Sequence, residues 1–419
     1  MKGHPADGDL AVVNAHLWDG TGREPAAGQA IEVRGGRITR VERLGAWTPP
    51  RDLPRLDAEG RFVIPGLLDC HVHLIYARFN SLAEVDQWPI EYHALRAAEN
   101  ATTLLSYGYT TVRDVGTRGA IASSVREAVT QGLVVGPRIV ASGPVLCTEG
   151  GHADSTPGWM RNELGLAMPV NGVDEVRRAV RTQVKQGVDN IKVGVTGAEA
   201  SPYCTTEQTA FSPVELEALV DEAKRFGKTV ACHAQSYQGA RMALQAGVTT
   251  IEHGTRMDDE TIALLAKAED TYLVPTLCTI YSFLELSKNE KAVTEMKVNQ
   301  PIWIDSLRRA REAGVKIAAG SDLGNRYLQG EQAIELQLMV DHGFTPQEAL
   351  TAATRTAAQA MHRADRVGTV EVGKYGDLVV LNADPLADIS SLRRRASIHR
   401  VVKGGVPLVP ADLAPEVTR

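Results

Sequence analysis

The sequence predicts an α/β fold: a (β/α)8 TIM barrel carrying a small β-sandwich domain formed from both termini. Three observations predict it. The length of 419 residues suits a barrel of roughly 250 residues plus an accessory domain. Eight short β-branched runs alternate with longer helix-patterned stretches, as the βα repeats of a parallel sheet do. A strand-and-turn texture then recurs at both ends, outside those repeats.

Residues 8–63 contain "LAVVNAHLWDGTG" and "AIEVRGGRITRVERLG", the second divided by Gly35 and Gly36 as a hairpin would be. Barrel strands are expected at 66–73, 110–115, 138–142, 190–195, 229–234, 249–253, 272–276 and 315–321. Helices are expected at 173–186, 213–226, 237–246, 259–268 and 302–313, and Gly187, Gly227, Gly247 and Gly314 stand where a helix must turn back into the next strand. A helical connection over 346–362 leads to "GTVEVGKYGDLVVLNADPL" and "IHRVVKGGVPLV", which return to the terminal texture. The resulting division is sandwich over 1–63 and 363–419, barrel over 64–362.

Composition excludes several classes. Apolar residues at 43% and charged residues at 23% describe a globular enzyme rather than a disordered or fibrous chain. A net charge of -6 supplies no positive field to gather nucleic acid or anionic membrane, so a small-molecule substrate is the expected partner. The short run Arg393, Arg394 and Arg395 reads as a solvated face. The first residues lack the features of a secretory signal, and no stretch approaches the roughly 20 apolar residues of a membrane span. A cytoplasmic protein, assembled as a homo-oligomer, is expected. Five scattered cysteines without a CxxC pair read as reduced thiols; Cys70 and Cys232, each just before a histidine, should point away from it on a strand.

The chemistry-bearing residues fall at strand ends. In "PGLLDCHVH", His71 and His73 are two apart and project from one strand face, which suits chelation. Lys192 in "NIKVGVTG" is flanked by apolar residues; burial lowers an amine's pKa and leaves it able to act as nucleophile or base, or to form a carbamate with carbon dioxide, the alternative being a partner acid. His233 in "VACHAQ" and His253 in "TIEHGT" end the fifth and sixth strands, and Asp322 in "IAAGSDLG" ends the last, after small residues that leave room beside it. Independent strands delivering such groups to one rim point to an active site.

This combination resembles the binuclear amidohydrolase superfamily, and "GRFVIPGLLDCHVHL" and "VGTVEVGKYGDLVVLNADPL" resemble its passages into the barrel and back into the sandwich. "GGHAD", "IKV", "CHAQS", "IEHGT" and "AGSDLG" are similar to its imidazolonepropionase-like and prolidase-like branch, with dipeptidases, ochratoxin-type amidases and phenylurea hydrolases. The resemblance implies two divalent cations, Zn²⁺ by default, with His71, His73 and Asp322 on one, His233 and His253 on the other, and a CO2-derived carbamate on Lys192 bridging them. Lys192 argues for the dipeptidase-like side, because true imidazolonepropionases lack the carboxylated lysine.

The function expected is hydrolysis of an amide-type C–N bond, in an N-acyl amino acid, dipeptide, or aryl amide or urea, by a metal-bound hydroxide. Asp322 would orient that water and carry its proton to the departing nitrogen. His152 in "TEGGHADS" is a candidate for polarising the carbonyl or binding substrate, and Tyr237 and Arg326 for meeting a substrate carboxylate. A ring-opening or deaminating member of the superfamily is the second reading, and a catalytically silent oligomeric scaffold the third. The complete ligand set speaks against the scaffold.

Overall fold

The computed structural model describes residues 7–77, 79, 81–160, 162–324 and 326–417, so the first six and last two residues of the terminal segments lie outside the described residues. The architecture is mixed α/β, with parallel sheets and one sheet built from both chain ends.

The two ends meet in an eight-stranded sheet. Its order runs Val406–Leu408, Ile398–Lys403, Leu378–Leu381, Phe62–Pro65, Leu10–Leu17, Ala26–Arg34 and Arg37–Arg43, with Arg55–Asp57 also pairing with Leu10–Leu17. Gly35 and Gly36 both adopt left-handed backbone (φ 51° and 76°), which a two-residue hairpin turn demands. Alternation divides the side chains: Leu10, Val12, Ile31, Val63, Leu378 and Val380 form one apolar cluster, while Ile64, Val379 and Leu381 pack into the main core.

Phe62–Pro65 leads almost directly into the first parallel strand, Leu67–Val72, which pairs with Tyr109–Asp114 and that with Arg138–Val140. A second parallel sheet runs Ala167–Pro169, Val145–Cys147, Asn190–Gly194, Thr229–Ala234, Thr250–His253 and Tyr272–Val274. Backbone hydrogen bonds connect the sheets at both margins. The Asp189 and Asn190 amides donate to the Ala141 carbonyl (2.7 and 3.1 Å), and residues 316–323 lie between Tyr272–Val274 and Leu67–Val72, with Ala318 N donating to Leu273 O and Cys70 N to Ala319 O, each at 2.9 Å.

The strand expected at 315–321 therefore occupies its place without being a regular strand. It forms only single bridges, Leu273 to Ile317 and Val72 to Leu323. Gly320 presses so close to the first strand that a Cβ there would stand 2.8 Å from His71 Cβ, and Asp322 is left-handed (φ 52°), which interrupts extension.

Helices Gly172–Lys185, Pro213–Arg225, Tyr237–Ala246 and Asp259–Lys267 lie close to their expected spans. Their sequence signals act as expected: Ser212 and Glu215 form a capping box, Asp258 accepts from Thr261 N, and left-handed Gly247 closes a helix. The helix expected at 302–313 instead spans Glu290–Glu312 and runs through Pro301. Asn289 caps it, and burial of Met296, Trp303, Leu307 and Ala310 outweighs the missing proline N–H. The connection expected over 346–362 is helical from Pro346 to Ala360, with a π-helical turn at Ala352–Thr356. All five cysteines are free.

Candidate active site

The C-terminal ends of the parallel strands open into one cavity. His71, His73, His152, Lys192, His233, His253 and Asp322 all line it. The five imidazoles follow one another in a chain: ring centroids lie 5.4 Å apart for His73 and His71, 5.2 Å for His71 and His253, 4.6 Å for His253 and His233, and 3.8 Å for the stacked His233 and His152. Gly194 makes the last contact possible, since a Cβ there would meet His152 Cβ at 2.8 Å.

Outward hydrogen bonds fix which ring nitrogen faces the cavity. His71 Nδ1 donates to Glu252 (2.7 Å), His73 Nδ1 to the Gly116 carbonyl (2.9 Å) and His233 Nε2 to the Gly197 carbonyl (3.0 Å). A neutral imidazole has one N–H, so the opposite nitrogen of each ring is left as a lone pair turned inward. Burial holds the His71, His152, His233 and His253 pKa values well below the usual histidine range, which keeps them neutral. His253 Nδ1 contacts Thr276 Oγ1 at 2.7 Å, and both residues are left-handed (φ 71° and 48°).

Asp322 closes the constellation. One oxygen lies 3.6 Å from His71 Nε2 and 3.4 Å from His73 Nε2; the other accepts from Thr279 Oγ1 at 3.0 Å. Burial works against its charge, while positive charge on His71, His73 or Lys192 would draw the carboxyl below the ordinary carboxylate range. Ligand atoms of His71, His253 and Asp322 lie within 4.8 Å of one another, a spacing that suits a divalent cation. His253 lies between the two neighbouring rings, its centroid 5.2 Å from that of His71 and 4.6 Å from that of His233.

Lys192 is 2% exposed, and burial pushes its ammonium pKa down. Its Nζ has no hydrogen-bond partner, nor do His233 Nδ1 and His152 Nδ1, so three solvent-free nitrogens lack a protein partner. Among the described residues no acid pairs with Lys192, the alternative left open by sequence. Unsatisfied donors and lone pairs at this density are what a site completed by a bound group leaves behind.

Arg326 reaches the cavity wall, its guanidinium 3.5 Å from the Phe283 ring centroid, and burial lowers its pKa to about 10, so it stays cationic. Tyr237 is not brought to the cavity. It is 38% exposed, because Ser236 caps the helix there and turns the next side chain outward.

Sequence reasoning missed the groups behind the ligands. Glu252 bridges His71 and Arg113 (Nη2 at 2.8 Å) and accepts from Thr250, while Arg113 Nε donates to the Cys70 carbonyl at 2.7 Å. Asp69 accepts from Ser321 N and from His71 N (3.1 and 2.9 Å), and burial raises its pKa to about 7. The signal was an acid beside a histidine in "TIEHGT" and an arginine in the apolar "YTTVRD".

The Amidohydrolase family pattern matches residues 62–408. The chain belongs to the amidohydrolase family. This amidohydrolase is 32% identical to the Aspergillus niger ochratoxinase over 82% of its own length and 75% of that protein's. It is 26% identical to the imidazolonepropionase of Stenotrophomonas maltophilia, over 96% and 98% of the two chains. Among solved structures, a Xaa-Pro dipeptidase with methionine bound in its active site superposes with a TM-score of 0.84 at 33% identity, covering 96% of this chain and 100% of that one. The amidohydrolase is a hydrolase of carbon–nitrogen bonds, and its family generally uses a divalent metal. No helix among the described residues is long and apolar enough to cross a membrane.

Proposed function

We propose that this amidohydrolase cleaves the amide bond of an N-acyl amino acid or dipeptide on a two-cation centre at the mouth of a (β/α)8 barrel. The observation that carries the reading is the set of partnerless, solvent-free nitrogens of Lys192, His233 and His152 in the cavity that Asp322 also lines. His71, His73 and Asp322 would hold one cation, His233 and His253 the other, and a CO2-derived carbamate on Lys192 would bridge them. Zinc suits this imidazole and carboxylate set. When bound, the cations lower a water's pKa towards about 7 and polarise the scissile carbonyl.

The chain's own residues supply the rest. Asp322, anchored by Thr279, accepts the attacking water's proton and returns it to the leaving nitrogen. His152, braced against His233, faces the carbonyl oxygen, and Arg326 meets a carboxylate on the amine half of the substrate.

The margins described above support barrel closure through residues 316–323, with 64–362 as the barrel and 1–63 and 363–419 as the sandwich. Five unpaired cysteines support a reducing, cytoplasmic setting, and a net charge of -6 supports a small-molecule substrate rather than nucleic acid or membrane. Exposed Trp88, Trp159 and Met160 support a homo-oligomer. The deciding experiment is metal quantification coupled to turnover of N-acyl amino acids, dipeptides, and aryl amides and ureas. Two cations per chain with cleavage of the first two classes supports the proposal; a folded, metal-free protein inert to every class would revive the silent scaffold.

A further inference from the structure

Two ionisable side chains of opposite type line the cavity without an ionic partner among the described residues. One is Arg326. The other is Glu199, 3% exposed, in the loop after Asn190–Gly194. Its Oε2 accepts from Gln235 Nε2 at 3.0 Å and its Oε1 from Asn299 Nδ2 at 2.9 Å. Asn299 is locked in that orientation, because its Oδ1 accepts from Arg256 Nη2 (2.7 Å) and a guanidinium can only donate. Arg256 is itself paired with Glu207 at 3.1 Å, so its charge is already answered. Gln235 Oε1, buried on the same wall, has no hydrogen-bond partner.

With Glu199 ionised, this wall offers acceptors only: the remaining lone pairs of Glu199 and the free oxygen of Gln235. Burial penalises the ionised form of Glu199 and pushes its pKa up, and a ligand bearing N–H donors and positive charge would favour the carboxylate and satisfy Gln235 Oε1 at once. The placement is directional. Glu199 and Gln235 follow the central parallel strands Asn190–Gly194 and Thr229–Ala234, whereas Arg326 follows residues 316–323 beside Leu67–Val72. The chain of histidines from His73 to His152 runs from the second side towards the first.

We infer that the substrate is a zwitterion whose acyl half carries an ammonium or guanidinium group held by Glu199 and Gln235, while its amine half carries the carboxylate held by Arg326. The inference rests on the amidase reading above and narrows it to free-amino dipeptides and their cationic analogues over plain N-acyl amino acids.

Matched substrates that differ only in the ammonium test it: alanyl-leucine against propanoyl-leucine, with the same comparison for phenylalanine and methionine on the carboxyl side. Wild-type kcat/KM should favour the aminoacyl member by about tenfold or more, and Glu199→Gln should bring the ratio near unity. Gln235→Leu, the second variant should Glu199→Gln not fold, should lower the ratio about threefold. A wild-type ratio below about threefold, or one that survives the folded variant, overturns the inference. If no substrate is cleaved, the amidase reading fails separately. Thermal shifts with the same compounds then decide the subsite: the aminoacyl members must stabilise the wild-type protein more than their partners do, and must lose that advantage in the variant.

Discussion

The two halves of the histidine cluster keep opposite hydrogen-bond accounts. Around His71 and His73 the outward ring nitrogens are held by Glu252 and the Gly116 carbonyl, with Arg113 and Asp69 behind them. Around Lys192, His233 and His152 it leaves three solvent-free nitrogens unanswered. The difference teaches that the first half is pre-shaped by the fold, whereas the second keeps nitrogens that a bound group could answer. Second-layer groups that orient ligands belong to the first kind of site, and an orphaned lysine belongs to the second.

Removing the proton carrier should break the whole cluster's activity. Asp322→Asn is expected to lower kcat by about 10³-fold or more while the circular dichroism spectrum and Tm stay close to wild type; near wild-type turnover would remove the role assigned to it. Lys192→Ala attacks only the incomplete half. It should lose at least one of two bound cations by elemental analysis, with activity down about a hundredfold, and full metal content in that variant would end the bridging role. Glu252→Gln attacks only the pre-shaped half, through the hydrogen bond to His71. Metal affinity is expected to fall by about 10 to 100-fold in chelator competition, and no change would mean that the layer behind His71 is inert.

A smaller effect should come from a buried acid outside both halves. Glu335 accepts from Leu277 N and Cys278 N at 2.9 and 2.8 Å, and burial raises its pKa from 4.5 to about 8. The folded state therefore keeps a proton that the unfolded chain releases above pH 4.5. Its contribution to stability is fully present below that pH and is lost as pH rises through about 8. Glu335→Gln should flatten the decline of Tm over this window; equal slopes for variant and wild type would refute the assignment.

The ligand positions were legible because strand ends carry their own signature: a histidine, lysine or aspartate closing an apolar run. The groups behind them were not, because their partners come from other strands, as Glu252 meets His71 and Arg113. Left-handed backbone at His253 breaks the alternation that would separate it from Glu252. Left-handed Asp322 likewise makes the last strand position irregular. Pro301 masked the first half of a helix whose packing tolerates it. Tyr237 misled in the opposite sense, adjacent to a ligand strand in sequence yet rotated out by the cap at Ser236.

The strand Phe62–Pro65 takes its antiparallel partner, Leu378–Leu381, from the far end of the chain, and one residue separates it from the strand that bears His71 and His73. A ribosome delivers those partners in the order of the sequence, so the anchor beneath the first histidines cannot be tied until more than 300 further residues have emerged. Nascent chains stalled before residue 378 should hold the histidines without the sheet that seats them, which postpones a competent catalytic mouth until residues 378–381 have emerged.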